Sequence, residues 1–238
     1  MTIENTVKDK QTVTTVPEKE GAEKILLFND CTLPQLDSTF NLEQIRPCPL
    51  LEEWLNTQAN ISKFERQVLD LLRKKLIVGA DDWNEVELAY NFIGPVMSFV
   101  NFTGRKCNFF AERPFSGTVE GITMQGRPDG MIASGVRVPG APYFCFQEYK
   151  KERNPAGDPA AQVLAAMLAA QEVNVHQHPV YGCYVKGRDW FFLVLKEKEY
   201  AVSEPYIATR EDIFDIFRIL KSLRQIIFTL AGEDNPSS

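Results

Sequence analysis

Gly126-Arg127-Pro128-Asp129-Gly130 and Phe146-Gln147-Glu148-Tyr149-Lys150 are the two runs on which the reading of this chain turns. Eighteen residues separate Asp129 from Glu148. Strand side chains alternate between the two faces of a sheet. A strand over residues 143–150 therefore turns Glu148 and Lys150 the same way, alongside Phe144 and Phe146. Two carboxylates and an ammonium converging on one point can hold a hard divalent cation and activate a water. Plainer readings stand beside this one. Pro128-Asp129-Gly130 is also good turn chemistry, and a Glu or Lys at a strand end is commonly just solvated. Glu148, however, follows Tyr143-Phe144-Cys145-Phe146. A charge at the end of such an apolar strand is rarely buried without pairing or metal coordination.

The flanking sequence supplies a frame. Ser62 caps a helix running to about residue 78, with Phe64, Val68, Leu71, Leu72 and Leu76 at helical spacing. Asp81 or Asp82 caps a second helix over 83–100, which Gly94-Pro95 should bend or loosen. Residues 107–112, 117–125, 130–133 and 143–150 read as an antiparallel meander of three or four strands. Asp158-Pro159 opens an alanine-rich helix to about residue 173, as N-cap and first helical residue. A hairpin over 179–186 and 190–196 turns at Gly187-Arg188-Asp189, and 200–202 adds a strand. Thr209 caps a last amphipathic helix carrying Ile213, Phe214, Phe217, Leu220, Leu223, Ile226, Ile227 and Leu230 on its apolar side. Residues 25–28 suit an edge strand or a docking segment, and 29–61 read as loop with short helical turns.

Composition narrows the function classes. The chain has 238 residues, 44% hydrophobic and 24% charged, as in an ordinary globular protein. No run approaches the ~20 apolar residues of a membrane helix, and the first residues lack the apolar core of a secretory signal. The five cysteines are scattered without a Cys-x-x-Cys pair, which argues against a disulfide framework or a zinc site. A cytoplasmic home is the expectation. The net charge of −6 and pI near 5.1 lower the expectation of tight duplex binding. Basic residues nevertheless gather near the two runs: Arg105, Lys106, Arg113, Arg127, Lys150, Lys151 and Arg153. No phosphate-binding Gly-rich loop and no Gly-x-Ser-x-Gly elbow is present. His176 and His178 lack a third ligand at suitable spacing and read as loop residues. Trp190, Phe191 and Phe192 read as core.

The ordered set of helix acid, Pro-Asp, apolar strand ending in Glu-x-Lys, and capped helix with Gln resembles the PD-(D/E)XK nuclease superfamily. The resemblance covers residues 83–195. Within the superfamily it is most similar to endonuclease-like proteins related to type I restriction subunits, on Ile93-Gly94-Pro95 and Ala161-Gln162-Val163. It implies an α/β fold with a restriction-endonuclease-like central mixed β-sheet flanked by helices. It further implies a Mg²⁺- or Mn²⁺-dependent nuclease hydrolysing phosphodiester bonds of nucleic acid, DNA ahead of RNA. Asp129 would be the bridging metal ligand and Glu148 the second. Lys150 would orient or deprotonate the water, or stabilise transition-state charge. Gln162 would contact the site or the scissile phosphate; its alternative is a surface Gln. The leading helix offers Glu85 and Glu87. Glu85 shares a face with Leu88, Phe92 and Val96 and is the expected third metal ligand; Glu87 lies with Asn91, Gly94 and Ser98. Either could instead simply favour the helix dipole.

The expected organisation is a disordered tail over 1–23, an N-terminal helical extension over 24–80 and the nuclease-like domain over 81–238. The competing reading is a non-cleaving accessory or binding protein of a restriction, defence or repair system, favoured by the acidic pI and the lack of a recognition module. The last helix could pack on its own sheet or on a second copy in a homodimer, its own sheet being the simpler outcome.

Overall fold

The computed structural model describes residues 24–233, so the expected tail over 1–23 lies outside the described residues. β1 (Ile25–Leu27) is followed by a 3-10 turn and α1 (Leu33–Phe40). β2 (Glu43–Gln44) and α2 (Pro49–Asn56) come next, so the short helical turns expected over 29–61 are two helices of 8 residues each. α3 (Lys63–Gly79) begins at Ser62 with a full capping box, Ser62 and Glu65 each binding the other's backbone N–H. Its inner face differs in part from expectation. Leu76 is fully buried as expected and Leu69 is buried with it, whereas Phe64 and Leu71 face solvent.

The second helix starts at Asn84, not at Asp81 or Asp82. Asn84 and Glu87 form its capping box, while Asp81 accepts a 2.5 Å hydrogen bond from Arg188. The helix is α4 (Glu85–Leu88), a π-helical turn (Ala89–Ile93) and α5 (Gly94–Val100). The Gly94 amide reaches back five residues to the Ala89 carbonyl. Pro95 cannot donate to the helix ladder, and a Cβ on Gly94 would lie 2.9 Å from that carbonyl oxygen. The expected loosening at Gly94-Pro95 therefore takes the form of a widened turn.

The expected meander splits between two sheets. β3 (Cys107–Ala111), β6 (Gly130–Ser134) and β7 (Gly140–Lys150) run antiparallel in the large sheet. β4 (Phe115–Val119) and β5 (Ile122–Gly126) leave it as a hairpin, turned at Glu120-Gly121 with φ of 48° and 78°. This is the left-handed geometry a two-residue hairpin requires. With β1 parallel to β5 they make a three-stranded sheet, β1-β5-β4.

α6 (Pro159–Val173) crosses from β7 to the parallel strand β8 (Val180–Lys186). β9 (Asp189–Lys196) returns by a two-residue turn, and β10 (Glu199–Val202) and β11 (Tyr206–Ile207) both pair with β9. β2 lies parallel on β10, completing the order β2-β10-β9-β8-β7-β6-β3. The fold is thus mixed α and β, a large mixed sheet with helices on both sides. α7 (Asp212–Leu230) starts three residues after Thr209, and the Asp212 carboxylate accepts from Ile207 N–H instead. Ile213, Phe217, Leu220, Leu223 and Ile227 are buried as expected, Phe214 and Ile226 are only partly buried, and Leu230, in the last turn, is exposed.

Two apolar clusters lie on either side of the large sheet. One gathers α2, α3, the helix from Glu85 and α7; the other gathers α1, α6 and the small sheet. α6 is buried on every side from Pro159 to Gln171. That accounts for its alanines: a helix apolar all round is an interior helix, and small side chains let two sheets close on it. Residues 24–80 contribute to both sheets and both clusters. No described helix is long and apolar enough to cross a membrane.

Candidate active site

β7 sets the site. Its pairing with β6 shifts register between Ile132 and Ala133, whose partners are Cys145 and Tyr143. Phe144 is the extra residue of this β-bulge, and a bulge re-aims the side chains after it. Phe144 therefore packs in the cluster of α7, whereas Phe146 packs in that of α6. The expectation that Phe144 shares a face with Phe146, Glu148 and Lys150 fails for this reason. Beyond the bulge the alternation is regular, and Glu148 and Lys150 follow Phe146 on the α6 side.

Asp129 stands immediately before β6. Its Oδ2 accepts a 2.6 Å hydrogen bond from the Tyr149 N–H, and its carbonyl accepts from Glu112 N–H at 3.2 Å. The Asp side chain thus continues the β6–β7 ladder where the β6 backbone ends, which ties it to the strand bearing Glu148 and Lys150. Asp129-Gly130 is consequently no free turn. Gly130 is buried in β6, where a Cβ would come 2.8 Å from Phe109 Cε2. The Tyr149 hydroxyl in turn donates to Gln147 Oε1 inside the sheet.

Lys150 Nζ lies 2.8 Å from Glu148 Oε1, with side chains only 12% and 9% exposed. Burial pushes the Glu148 carboxyl up to about 7, with the Asp129 charge adding and Lys150 opposing. Burial likewise pushes Asp129 up to about 6 against the Tyr149 N–H and Lys150, with Glu85 and Glu112 adding to the rise. For Lys150 burial works to lower the pKa, but Glu148, Glu85 and Asp129 outweigh it and raise it. The ammonium is therefore firmly charged, amid carboxylates that repel one another.

The two helix acids have separate positions. Glu87 is engaged by the Asn84 backbone at 2.9 Å. Glu85 is half-buried, lines a cavity with Asp129, and is felt electrostatically by Asp129, Glu148 and Lys150. Asp129, Glu148, Lys150 and Glu85 are thus brought together. Gln162 is not joined to them by any hydrogen bond. It is 4% exposed rather than on the surface, with Nε2 3.5 Å from the Asn29 carbonyl and Oε1 without a hydrogen-bond partner among the described residues. Asp158 does more than cap α6: its two oxygens accept from Ala161 N–H and from Leu33 N–H at the start of α1.

Some neighbours are missing from the sequence reading. Tyr184 stands in register with Glu148 on β8 and stacks on Phe191 at 4.4 Å and 11°. Parallel register between strands thirty residues apart leaves no local signal. His176 is held between Glu172 and Glu197, and His178 stacks on Phe144. Among the described residues Arg113, Arg127 and Lys151 make no ion pair, whereas Arg153 lies 3.7 Å from Asp81.

Among the described residues no three His, Cys, Asp or Glu side chains form a ready-made metal cage. The donor chemistry nevertheless fits a hard cation. Asp129, Glu148 and Glu85 offer only oxygen ligands, as Mg²⁺ and Mn²⁺ prefer. No protein-family model matches the chain, and no curated protein matches it.

Proposed function

We propose that this chain is a metal-dependent phosphodiesterase acting on nucleic acid, with a restriction-endonuclease-like core of the PD-(D/E)XK type. The observation that carries the reading is the gathering of Asp129, Glu148, Lys150 and Glu85 at one end of β7. In support, Glu85 on the leading helix, Asp129 before β6, Glu148 and Lys150 at the end of β7, and Gln162 on the capped helix α6 stand in the order on which the resemblance rests.

Asp129 and Glu148 would hold the Mg²⁺ or Mn²⁺, with Glu85 as a third oxygen donor. The bound cation supplies a Lewis acid for the phosphodiester and lowers the pKa of a coordinated water. Asp129 is oriented by the Tyr149 N–H, so its free oxygen has a fixed direction. Lys150, with its pKa raised, serves as a cation facing the charge that builds on phosphorus rather than as the base that takes the proton. Exposed Arg113 and Arg127, on either side of the small sheet's hairpin, are free to meet flanking phosphates.

The test is incubation of purified protein with plasmid, single-stranded DNA and RNA in Mg²⁺ or Mn²⁺. Cleavage by the wild type that disappears in Asp129→Ala and Lys150→Ala is the expected result. Cleavage that persists unchanged in both variants refutes the mechanism. Protein that binds neither metal by calorimetry points to the accessory reading instead.

A further inference from the structure

A cavity of about 360 Å³ lies between the helix from Glu85 and the edge strand β3. Its volume falls within the ~300–1,000 Å³ of small-molecule sites. Asp129 and Glu85, two of the proposed metal ligands, form part of its wall. Met97 and Gly94 line it from the helix, and Phe109 from β3. Tyr90 lines it too and is 79% exposed. The π-helical turn contributes to this shape, since Ala89 and Tyr90 sit in the widened turn that Gly94 permits.

Charge decides what such a cavity takes. Its charged lining is Glu85, Glu112 and Asp129, and no Lys or Arg among the described residues lines it. A phosphate is repelled there. A neutral planar group bearing N–H donors is accommodated, its faces against aromatic and thioether side chains and its edge toward a carboxylate. Glu112 is exposed, is held at φ 48°, and its backbone N–H is anchored on the Asp129 carbonyl. Its carboxylate makes no side-chain hydrogen bond among the described residues and is free to accept from an amino group, as acidic side chains do with cytosine N4.

From this we propose that the cavity is a nucleobase pocket. It receives the base attached next to the phosphodiester held at Asp129, which must therefore be unpaired: single-stranded, or flipped from its stack. The pocket favours cytosine, adenine and guanine, which carry exocyclic amino groups, over thymine and uracil. The inference rests on the phosphodiesterase reading for its phosphate and extends it to the substrate class.

The test uses the full chain with Ca²⁺ and fluorescein-labelled oligonucleotides, read by anisotropy. A mixed-sequence single strand should bind at least tenfold tighter than its duplex, and tighter than an abasic sugar-phosphate strand of the same length. Tyr90→Ala should weaken single-strand binding by roughly tenfold, the usual scale for one stacked base. Leu71→Ala, exposed on α3, should leave binding unchanged. Glu112→Gln should narrow the preference of oligo-dC over oligo-dT. Equal affinity for the abasic strand, equal affinity for the duplex, an unaffected Tyr90→Ala variant, or no oligonucleotide binding overturns the pocket. Hydrolysis of bis(p-nitrophenyl) phosphate, which has no base, tests the catalytic reading separately. Wild type inert on that ester but still selecting base-bearing single strands refutes the catalysis and leaves the pocket standing.

Discussion

Lys150 and Glu148 form an ion pair of 2.8 Å from the same face of one strand, almost wholly out of water. Breaking a buried pair from one side leaves the other charge stranded and costs about 3–5 kcal/mol. Lys150→Met should therefore destabilise the protein by about that much at pH 8 in urea unfolding. The loss should shrink at pH 5, where Glu148 is protonated. Glu148→Gln combined with Lys150→Met should recover most of it, because neither partner then carries charge.

The raised carboxyls make a second prediction, for the metal-free protein. The unfolded chain loses these protons near a pH of about 4, the folded chain only near 6 for Asp129 and 7 for Glu148. Between those values the folded state holds more protons. Stability therefore falls as pH rises through this window and levels off above it, by a few kcal/mol, since each unit is worth ~1.4 kcal/mol. Calorimetric melting in EDTA from pH 5 to pH 8 should show the decline, and Glu148→Gln should flatten it.

Glu85 and Glu87 should separate cleanly. Glu87→Ala removes half of a capping box and should cost about 0.5–1 kcal/mol of stability, with Mn²⁺ affinity kept. Glu85→Ala relieves repulsion at Asp129 and Glu148. It should leave melting equal or higher while weakening Mn²⁺ binding by tenfold or more in titration calorimetry.

Gly130→Ala should destabilise the fold by roughly 1–3 kcal/mol, as overpacking does, because the added methyl meets Phe109 at 2.8 Å and Gln147 Oε1 at 3.0 Å. Phe109→Leu in the same chain should restore part of the loss, which chemical denaturation of the single and double variants would measure.

Local chemistry made much of this molecule readable. Ser62 with Glu65, Asp158 with Pro159, and the tight turn at Gly187-Arg188 each act within a few residues, so their pattern is visible in one stretch. The pairing of Glu148 with Lys150 followed from period two. What escaped depends on distant partners. The bulge at Phe144 is set by register against β6, and the departure of β4 and β5 by β1, nearly a hundred residues earlier. On α3 the periodicity gives an apolar stripe that includes the buried Leu76, but not the direction of the core, so Leu69 is buried while Phe64 and Leu71 are exposed. For Gln162 the sequence leaves a site contact and a surface position both open, because alanine carries little signal, whereas α6 is enclosed by two sheets and buries it.

The long-distance strand pairings have a consequence for how the chain comes into being. β1 awaits residues 123–125, and β2 awaits 199–200. Contacts of such sequence separation form late and slow folding. During synthesis β1 and β2 emerge long before their partners, and β2 can meet β10 only when about four-fifths of the chain has been made. A fragment beginning at residue 81 would face the complementary difficulty: β5 and β10 would each present a bare edge, and bare edges recruit strands from other molecules. β1 and β2 thus cover edges that would otherwise stand open, closing at the end the seams they were made too early to meet.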